Sequence, residues 1–466
     1  MRRILIAAMA LTIVSGANAQ NDKGSITPDV MLKIEKSYQN TATDKALSNA
    51  IQANSLKKLA LNRENITGED TYFSNEVKSK GISDQKQSGR CWLFTGLNVM
   101  RAKTIQKFKL GDFQFSQNFV SFYDLLEKSN MFLQGVIDNA KKPMDDKLVE
   151  WFFKSPIGDG GQFTGIADLI TKYGVVPKEV MPESESSEST SVMRELLSRK
   201  LREDGLELRQ MAANKKSGIQ MENRKVEMLG TIYRMLVLNL GKPPVKFTWT
   251  LRSDKGKPVS TKEYTPKEFY DTYVGADLKN GYVMFMNDPT REYYKLYTID
   301  LDRHTYEGNN WTYINLPMED IKKMAITSIK DSTMMYMSCD VSKNLNRSNG
   351  RLDVNNYDYE SLMGTTFGMN KKERIMTFDS GSTHAMTMMA VDLDANGKPI
   401  KWEVENSWGA DNGYKGHLIM TDKWLDEYLF RLVVSKNYIP QNILDLLKLK
   451  PIKLPAWDPM FAQEEE

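Results

Sequence analysis

Along this chain, stretches of helical periodicity give way after the middle to short apolar runs bounded by turn residues. Leu93, Leu97 and Met100, followed by Ile105 and Phe108, recur at roughly helical spacing, predicting an amphipathic helix that opens at Cys91, with Gly89 suited to the tight turn before it. Helical patterning continues to about residue 173 and includes 115–133. A Ser- and Glu-rich stretch at 182–190 reads as a loop or domain edge, and 192–240 as two helices broken near 215–218. Beyond Lys242 the pattern changes to strands at 245–251, 281–286 and 296–299 and a helix at 318–330, leading into a sheet. Buried strands are expected at 334–341 and from His384 to Asp392; a turn at 394–397 and a strand at 400–404 make the latter a hairpin. A short helix is expected at 423–428, and the polar, partly helical stretch from Gln20 to about Tyr72 reads as an N-terminal arm.

The first twenty residues have a different pattern. Arg2 and Arg3 precede the apolar run 4–14, and small residues lead to Ala19, the arrangement of a secretory signal peptide cleaved near Ala19. The run is too short to span a bilayer core of about 30 Å, and no later segment approaches eighteen apolar residues. The expected address is the periplasm or beyond. Losing the two arginines lowers the formal charge from +3 to +1, a balance that predicts no general affinity for nucleic acid or membrane. With 466 residues, 41% hydrophobic and 10% aromatic, the chain can bury the core of a sizeable enzyme.

Candidate chemistry centres on Asp84-Gln85-Lys86-Gln87-Ser88-Gly89-Arg90-Cys91-Trp92. A thiol at a helix N-terminus sits where unpaired N–H groups and the helix dipole stabilise an anion, although a free cysteine is often only a small buried hydrophobe. A cysteine nucleophile needs a base, and the chain has three histidines: His304, His384 and His417. His384 opens the buried hairpin whose second strand leads into Glu405-Asn406-Ser407-Trp408-Gly409, so the hairpin can set His384 beside Asn406. In that arrangement His384 takes the thiol proton and returns it to the leaving amine, Asn406 orients the imidazole, and Trp408 covers their bond. Gln85 and the backbone N–H of Cys91 would receive the oxyanion. His304 and His417 have no comparable setting. With Cys91 assigned to chemistry, Cys339 lacks a partner, so no disulfide is expected and Cys339 reads as a buried strand residue. No ligand spacing supports a zinc site, and no metal or cofactor is expected.

Seven motifs in order, Ser-Gly-Arg-Cys-Trp at 88–92, Gly-Gly-Gln at 160–162, Tyr-Gly-Val-Val-Pro-Lys at 173–178, Asn-Asp-Pro at 287–289, Cys-Asp-Val at 339–341, Glu-Asn-Ser-Trp-Gly at 405–409 and Pro-Ala-Trp-Asp-Pro-Met at 455–460, resemble the papain-like cysteine peptidases and, among them, the bleomycin hydrolase and aminopeptidase C family. The resemblance covers about residue 75 to the C-terminus. It implies an α+β, papain-like two-lobed fold with a helical insertion and a C-terminal arm: signal peptide 1–19, N-terminal arm 20–75, helical lobe 76–181, insertion 182–270, β-rich lobe 271–440 and arm 441–466. It assigns catalysis to Cys91, His384 and Asn406 and the oxyanion role to Gln85, and implies peptide substrates and a homohexamer. Gly160 and Gly161 resemble the place where substrate backbone meets the cleft, against the alternative of a plain turn. Trp408 joins them as a substrate-side residue. Export departs from the family's usual cytosolic residence, and an oxidising compartment threatens an active thiol.

Two features leave alternatives open. From Arg194 to Lys225 nine Lys or Arg stand against five Asp or Glu, which reads either as a nucleic-acid surface or as a solvated face with paired acids such as Glu203, Asp204 and Glu207. The tail 461–466 ends in three glutamates. In the family the terminal carboxylate faces the substrate's free amine, so Glu466 is placed there and an aminopeptidase is expected. A tail that leaves the cleft would instead favour an endopeptidase, a merely solubilising tail would do neither, and a non-catalytic binding protein on this scaffold is the remaining alternative.

Overall fold

In the computed structural model, which describes residues 24–65 and 70–461, the run opened by His384 forms an interior strand of a twelve-stranded mixed sheet. His384–Leu393 is buried along nine of its ten residues. Both faces of the strand are covered, and for that reason its sequence is continuously apolar rather than alternating. On one side it pairs antiparallel with Met335–Cys339, placing His384 opposite Cys339, and on the other with Pro399–Glu405. The sheet continues through Leu429–Ser435, Tyr282–Met286, Thr312–Asn315 and Lys295–Ile299 to the edge strand Ile452–Leu454.

The Cys91–Phe108 helix lies against this strand, and Thr387 Oγ1 reaches the Thr95 carbonyl at 3.5 Å. Residues 92–102 of the helix are all buried, so it is a central helix covered on every side and not the one-faced amphipathic helix its spacing predicts. The Phe163–Tyr173 helix crosses it closely at Gly96, where a Cβ would stand 2.7 Å from Ile166. Gln117–Asp138 adds a third helix. Against it pack Ser191–Ala213 and Gly218–Leu240, the two expected helices, broken between Asn214 and Ser217 where Ser217 and Gln220 form a capping box.

Basic side chains of these last two helices have local partners. Arg224 bonds Glu207 at 2.7 Å, Lys200 bonds Asp204 at 3.0 Å, and Arg202 donates to the Phe153 and Lys154 carbonyls at the end of the Lys147–Lys154 helix. The strand expected at 245–251 does form, as Phe247–Arg252, but it pairs only with Pro258–Tyr264 and stands outside the main sheet. Its expected lead into the sheet is therefore corrected. The helix at Met318–Lys330 and the short helix at Asp422–Tyr428 occupy the expected places.

The chain divides into two compact units, Met1–Leu61 with Tyr359–Gly364 and Asn62–Asp358 with Thr365–Glu466. The smaller one has helices at Pro28–Ser37 and Ala42–Ala53, opened by Thr27 and by a Thr41–Asp44 capping box, with no residue of either helix buried. No helix among the described residues is long and apolar enough to cross a membrane. The expected signal peptide lies outside the described residues.

Candidate active site

Cys91 is the first residue of its helix, and Leu93 and Phe94 N–H groups are the ones that turn back to the Arg90 carbonyl. The loop before it is braced within itself. Arg90, buried, forms an ion pair with Glu183 at 2.8 Å and donates to Ser88 Oγ, which donates to the Gln85 carbonyl at 2.7 Å. Gly89 N–H donates to Asp159 Oδ2 at 2.8 Å, and Trp92 Nε1 donates to the Asp159 carbonyl at 2.6 Å. Asp159 also binds Thr190 and Arg194; despite burial these partners hold its carboxyl below the usual range. One carboxylate thus ties the cysteine loop to the glycine loop at 160–161.

His384 and Cys91 line one cleft. Extending the Thr387–Glu405 pairing by one residue puts Asn406 beside Met386 and diagonal to His384 on the same face. His384 Nε2 lies 2.8 Å from Asn406 Oδ1. The direction of that bond follows from Ser407, whose backbone N–H donates to the same Oδ1 at 2.8 Å. A backbone N–H can only donate, so this atom is the amide oxygen, Nε2 carries the proton, and Nδ1 of the neutral ring is left as the base. Trp408 packs on the imidazole with centroids 4.9 Å apart, and Arg347 lies over the indole. Trp408 therefore lies directly on the His384 ring.

Burial pushes His384 down to about 4, opposed by the Asn406 bond and reinforced by Arg347. The imidazole alone is therefore neutral near pH 7. An adjacent thiolate changes that balance, because opposite charges in a water-poor cleft stabilise each other far more than in bulk water. Cys339, opposite His384 in the sheet, is fully buried, and burial holds its thiol well above the usual range. It has the character of a structural thiol.

Gln85 is also in the cleft wall. Its Nε2 donates to the Ser88 carbonyl at 2.6 Å, its Oε1 accepts from Ser407 Oγ at 2.6 Å, and its backbone N–H donates to the Ser407 carbonyl at 2.8 Å. One amide hydrogen remains beyond the Ser88 bond. Gly160 and Gly161 line the same cleft but differ in kind. A Cβ on Gly160 would meet nothing within 4 Å, whereas one on Gly161 would stand 2.3 Å from His304 Cε1 and 2.7 Å from Trp92. Gly161 is required by packing; Gly160 is open.

His304 is the residue sequence reasoning passed over. Its Nδ1 meets Asp124 Oδ1 at 2.5 Å, and its ring packs on Trp92 with centroids 4.6 Å apart. Lys128, one turn after Asp124, holds the other carboxylate oxygen and the Gly158 and Gly160 carbonyls. The spacing of Asp124 and Lys128 signals only a helix pair; nothing local announces His304. His417 begins the strand His417–Thr421, with burial lowering its pKa, and does not line the cleft. At the far wall the chain end returns: Arg431 donates to Gln162 Oε1 at 2.6 Å and to the Met460 carbonyl, and its guanidinium lies 4.4 Å from the Phe461 ring. Asp458 binds Arg291, which also pairs with Asp288 at 3.5 Å, so one guanidinium bridges the motifs at 287–289 and 455–460. Glu466 lies outside the described residues.

Residues 25–461 match the Peptidase C1-like family. The chain belongs to that family. It is 38% identical to an aminopeptidase C of Lactobacillus delbrueckii subsp. lactis over 89% of this chain and 93% of that one, and 39% identical to the bleomycin hydrolase of Mus musculus over 88% and 92%. PepW from Lactobacillus rhamnosis superposes with a TM-score of 0.90 at 38% identity, covering 94% of this chain and 99% of that one. This peptidase C1-like chain is a cysteine peptidase of the papain-like, α+β class, in the branch of aminopeptidase C and bleomycin hydrolase.

Proposed function

We propose that this peptidase removes N-terminal residues from peptides with Cys91 as nucleophile, His384 as base and acid, and Asn406 as the group that orients it. The observation that carries the chemistry is the Nε2–Oδ1 bond of 2.8 Å, which leaves Nδ1 as the basic atom in a cleft shared with Cys91. In this reading His384 Nδ1 takes the thiol proton, the thiolate sulfur attacks the carbonyl carbon, and Gln85 with the Cys91 N–H receives the oxyanion. His384 then protonates the leaving amine, and a water deprotonated by His384 releases the acyl group.

Exopeptidase action is supported by Met460 and Phe461 standing in the cleft, which shortens the space available on one side of Cys91. The reading is also supported by the aminopeptidase C of Lactobacillus delbrueckii subsp. lactis, which the chain matches over 93% of its length. The test compares peptides with free and acetylated N-termini, using Cys91→Ser as control. Preference for the free amine, lost with the thiol, is the expected result; equal cleavage of both makes the enzyme an endopeptidase.

Export after cleavage near Ala19, to the periplasm or outside the cell, belongs to the same proposal and rests on Arg2, Arg3 and the apolar run at 4–14. N-terminal sequencing of the protein from fractionated cells checks it: recovery with an intact Met1 overturns it. A homohexamer is proposed on family resemblance alone and is checked by mass in solution.

A further inference from the structure

Cations that line the cleft have polar partners: Lys128 on Asp124, Arg194 on Asp159, and Arg431 on Gln162 and the Met460 carbonyl. Arg347 is differently placed. Its guanidinium lies 5.2 Å from the centre of the Trp408 indole, which packs on the His384 imidazole, and among the described residues it has no hydrogen bond or ion pair. The residue is exposed.

The backbone that carries Arg347 is braced. It follows directly on the paired strands Leu345–Asn346 and Arg351–Leu352, at the start of the turn that joins them. Asn346 Oδ1 accepts the Ser348 N–H at 3.2 Å and the Ser348 hydroxyl at 2.6 Å, and the Asn346 carbonyl accepts the Gly350 N–H at 3.0 Å. A fixed turn thus presents a guanidinium whose N–H donors are free, in a fork that matches a carboxylate. Its charge reaches the base of the reaction, adding to the burial that opposes protonation of His384.

The order of the chemistry decides which part of a peptide meets Arg347. Cys91 takes the acyl part, and His384 must reach the nitrogen that it protonates, so the leaving part begins at His384. Extended chain advances about 3.3–3.6 Å per residue, which carries the first leaving residues past the imidazole toward the groups that cover it. We infer that Arg347 selects peptides with a carboxylate in the part that leaves, either the C-terminal carboxylate of a dipeptide or an acidic side chain next to the scissile bond. This rests on the aminopeptidase reading of the same cleft. The bound carboxylate also offsets the positive charge that opposes protonation of His384, which favours the imidazolium needed to protonate the leaving amine.

The test is steady-state hydrolysis by the full chain of two matched pairs with free N-termini, Phe-Ala against Phe-Ala-amide and Phe-Glu-amide against Phe-Gln-amide. The first pair reports on the C-terminal carboxylate and the second on the side chain. An exposed ion pair predicts kcat/KM about twofold to fivefold higher for the charged member of at least one pair, a preference that shrinks as salt is added. Arg347→Gln is expected to abolish the preference, Arg347→Lys to keep part of it and Arg347→Glu to reverse it. Each ratio is internal to one protein and does not depend on the fraction folded. Level rates within both pairs in the wild type, or a preference that persists unchanged in Arg347→Glu, overturn the inference. Hydrolysis that survives in Cys91→Ser, or no hydrolysis of any of these substrates, sinks the aminopeptidase reading and the inference with it; hydrolysis that needs Cys91 but shows level ratios sinks the role of Arg347 alone.

Discussion

Gln85 and Ser407 hold each other twice, the Gln85 backbone N–H on the Ser407 carbonyl at 2.8 Å and the Ser407 hydroxyl on Gln85 Oε1 at 2.6 Å. Ser407 also donates its N–H to Asn406 Oδ1, so a single residue sets the orientation of two amides that face different parts of the reaction. Ser407→Ala is expected to lower kcat by roughly tenfold with little change in KM, because Gln85 stays present but loses its orientation. Gln85→Ala, which deletes the donor, is expected to lower kcat by roughly a hundredfold or more. Equal and small effects of both would detach Gln85 from the oxyanion.

The buried imidazole gives the fold an acid limit. His384 is lowered from 6.5 to about 4, so its contribution to stability is fully present above pH 6.5 and is lost as pH falls from there toward 4, where the unfolded chain binds a proton that the folded site resists. The size is on the order of 3 kcal/mol. Chemical denaturation at pH 7 and pH 4.5 should show a loss in the wild type that is smaller in His384→Gln; parallel losses in the two proteins would refute the assignment.

The two cleft glycines should separate packing from access. Gly161→Ala drives a methyl into His304 and Trp92 and is expected to destabilise the fold by about 1–3 kcal/mol, read as a lowered Tm. Gly160→Ala meets no protein atom, so Tm should stay level while KM rises if substrate backbone runs there. A normal KM would leave Gly160 as a turn residue only.

Arg431 joins the chain end to the cleft through the Met460 carbonyl and the Phe461 ring. Phe461 also stacks on Tyr313 at 5.9 Å. Phe461→Ala removes the ring from both contacts, and the expected result is increased cleavage of N-acetylated peptides relative to free ones. No change in that ratio would show that the arm does not limit which bonds reach Cys91.

Much of this site was legible in the linear chain because its chemistry is carried by short local signals. A thiol at a helix start, a histidine opening a continuously apolar strand and an asparagine after the next strand are each statements about a few consecutive residues. The break between helices near residue 215 and the helix at Met318–Lys330 follow from periodicity and capping in the same way. Where spacing misled, the cause was tertiary. The Cys91 helix is buried all round because a sheet and two helices cover it, and the strand at Phe247–Arg252 found its partner in the next strand instead of the main sheet.

What the amino-acid sequence by itself determined is therefore the type and order of the reactive groups and the family they belong to, since helix periodicity, turn chemistry and motif identity are local properties. Only the tertiary structure decided which nitrogen of His384 is basic and that His304 packs between Asp124 and Gly161. Those outcomes depend on hydrogen bonds and burial between residues that lie from 22 to 180 positions apart along the chain. No pattern of neighbours along the chain encodes them.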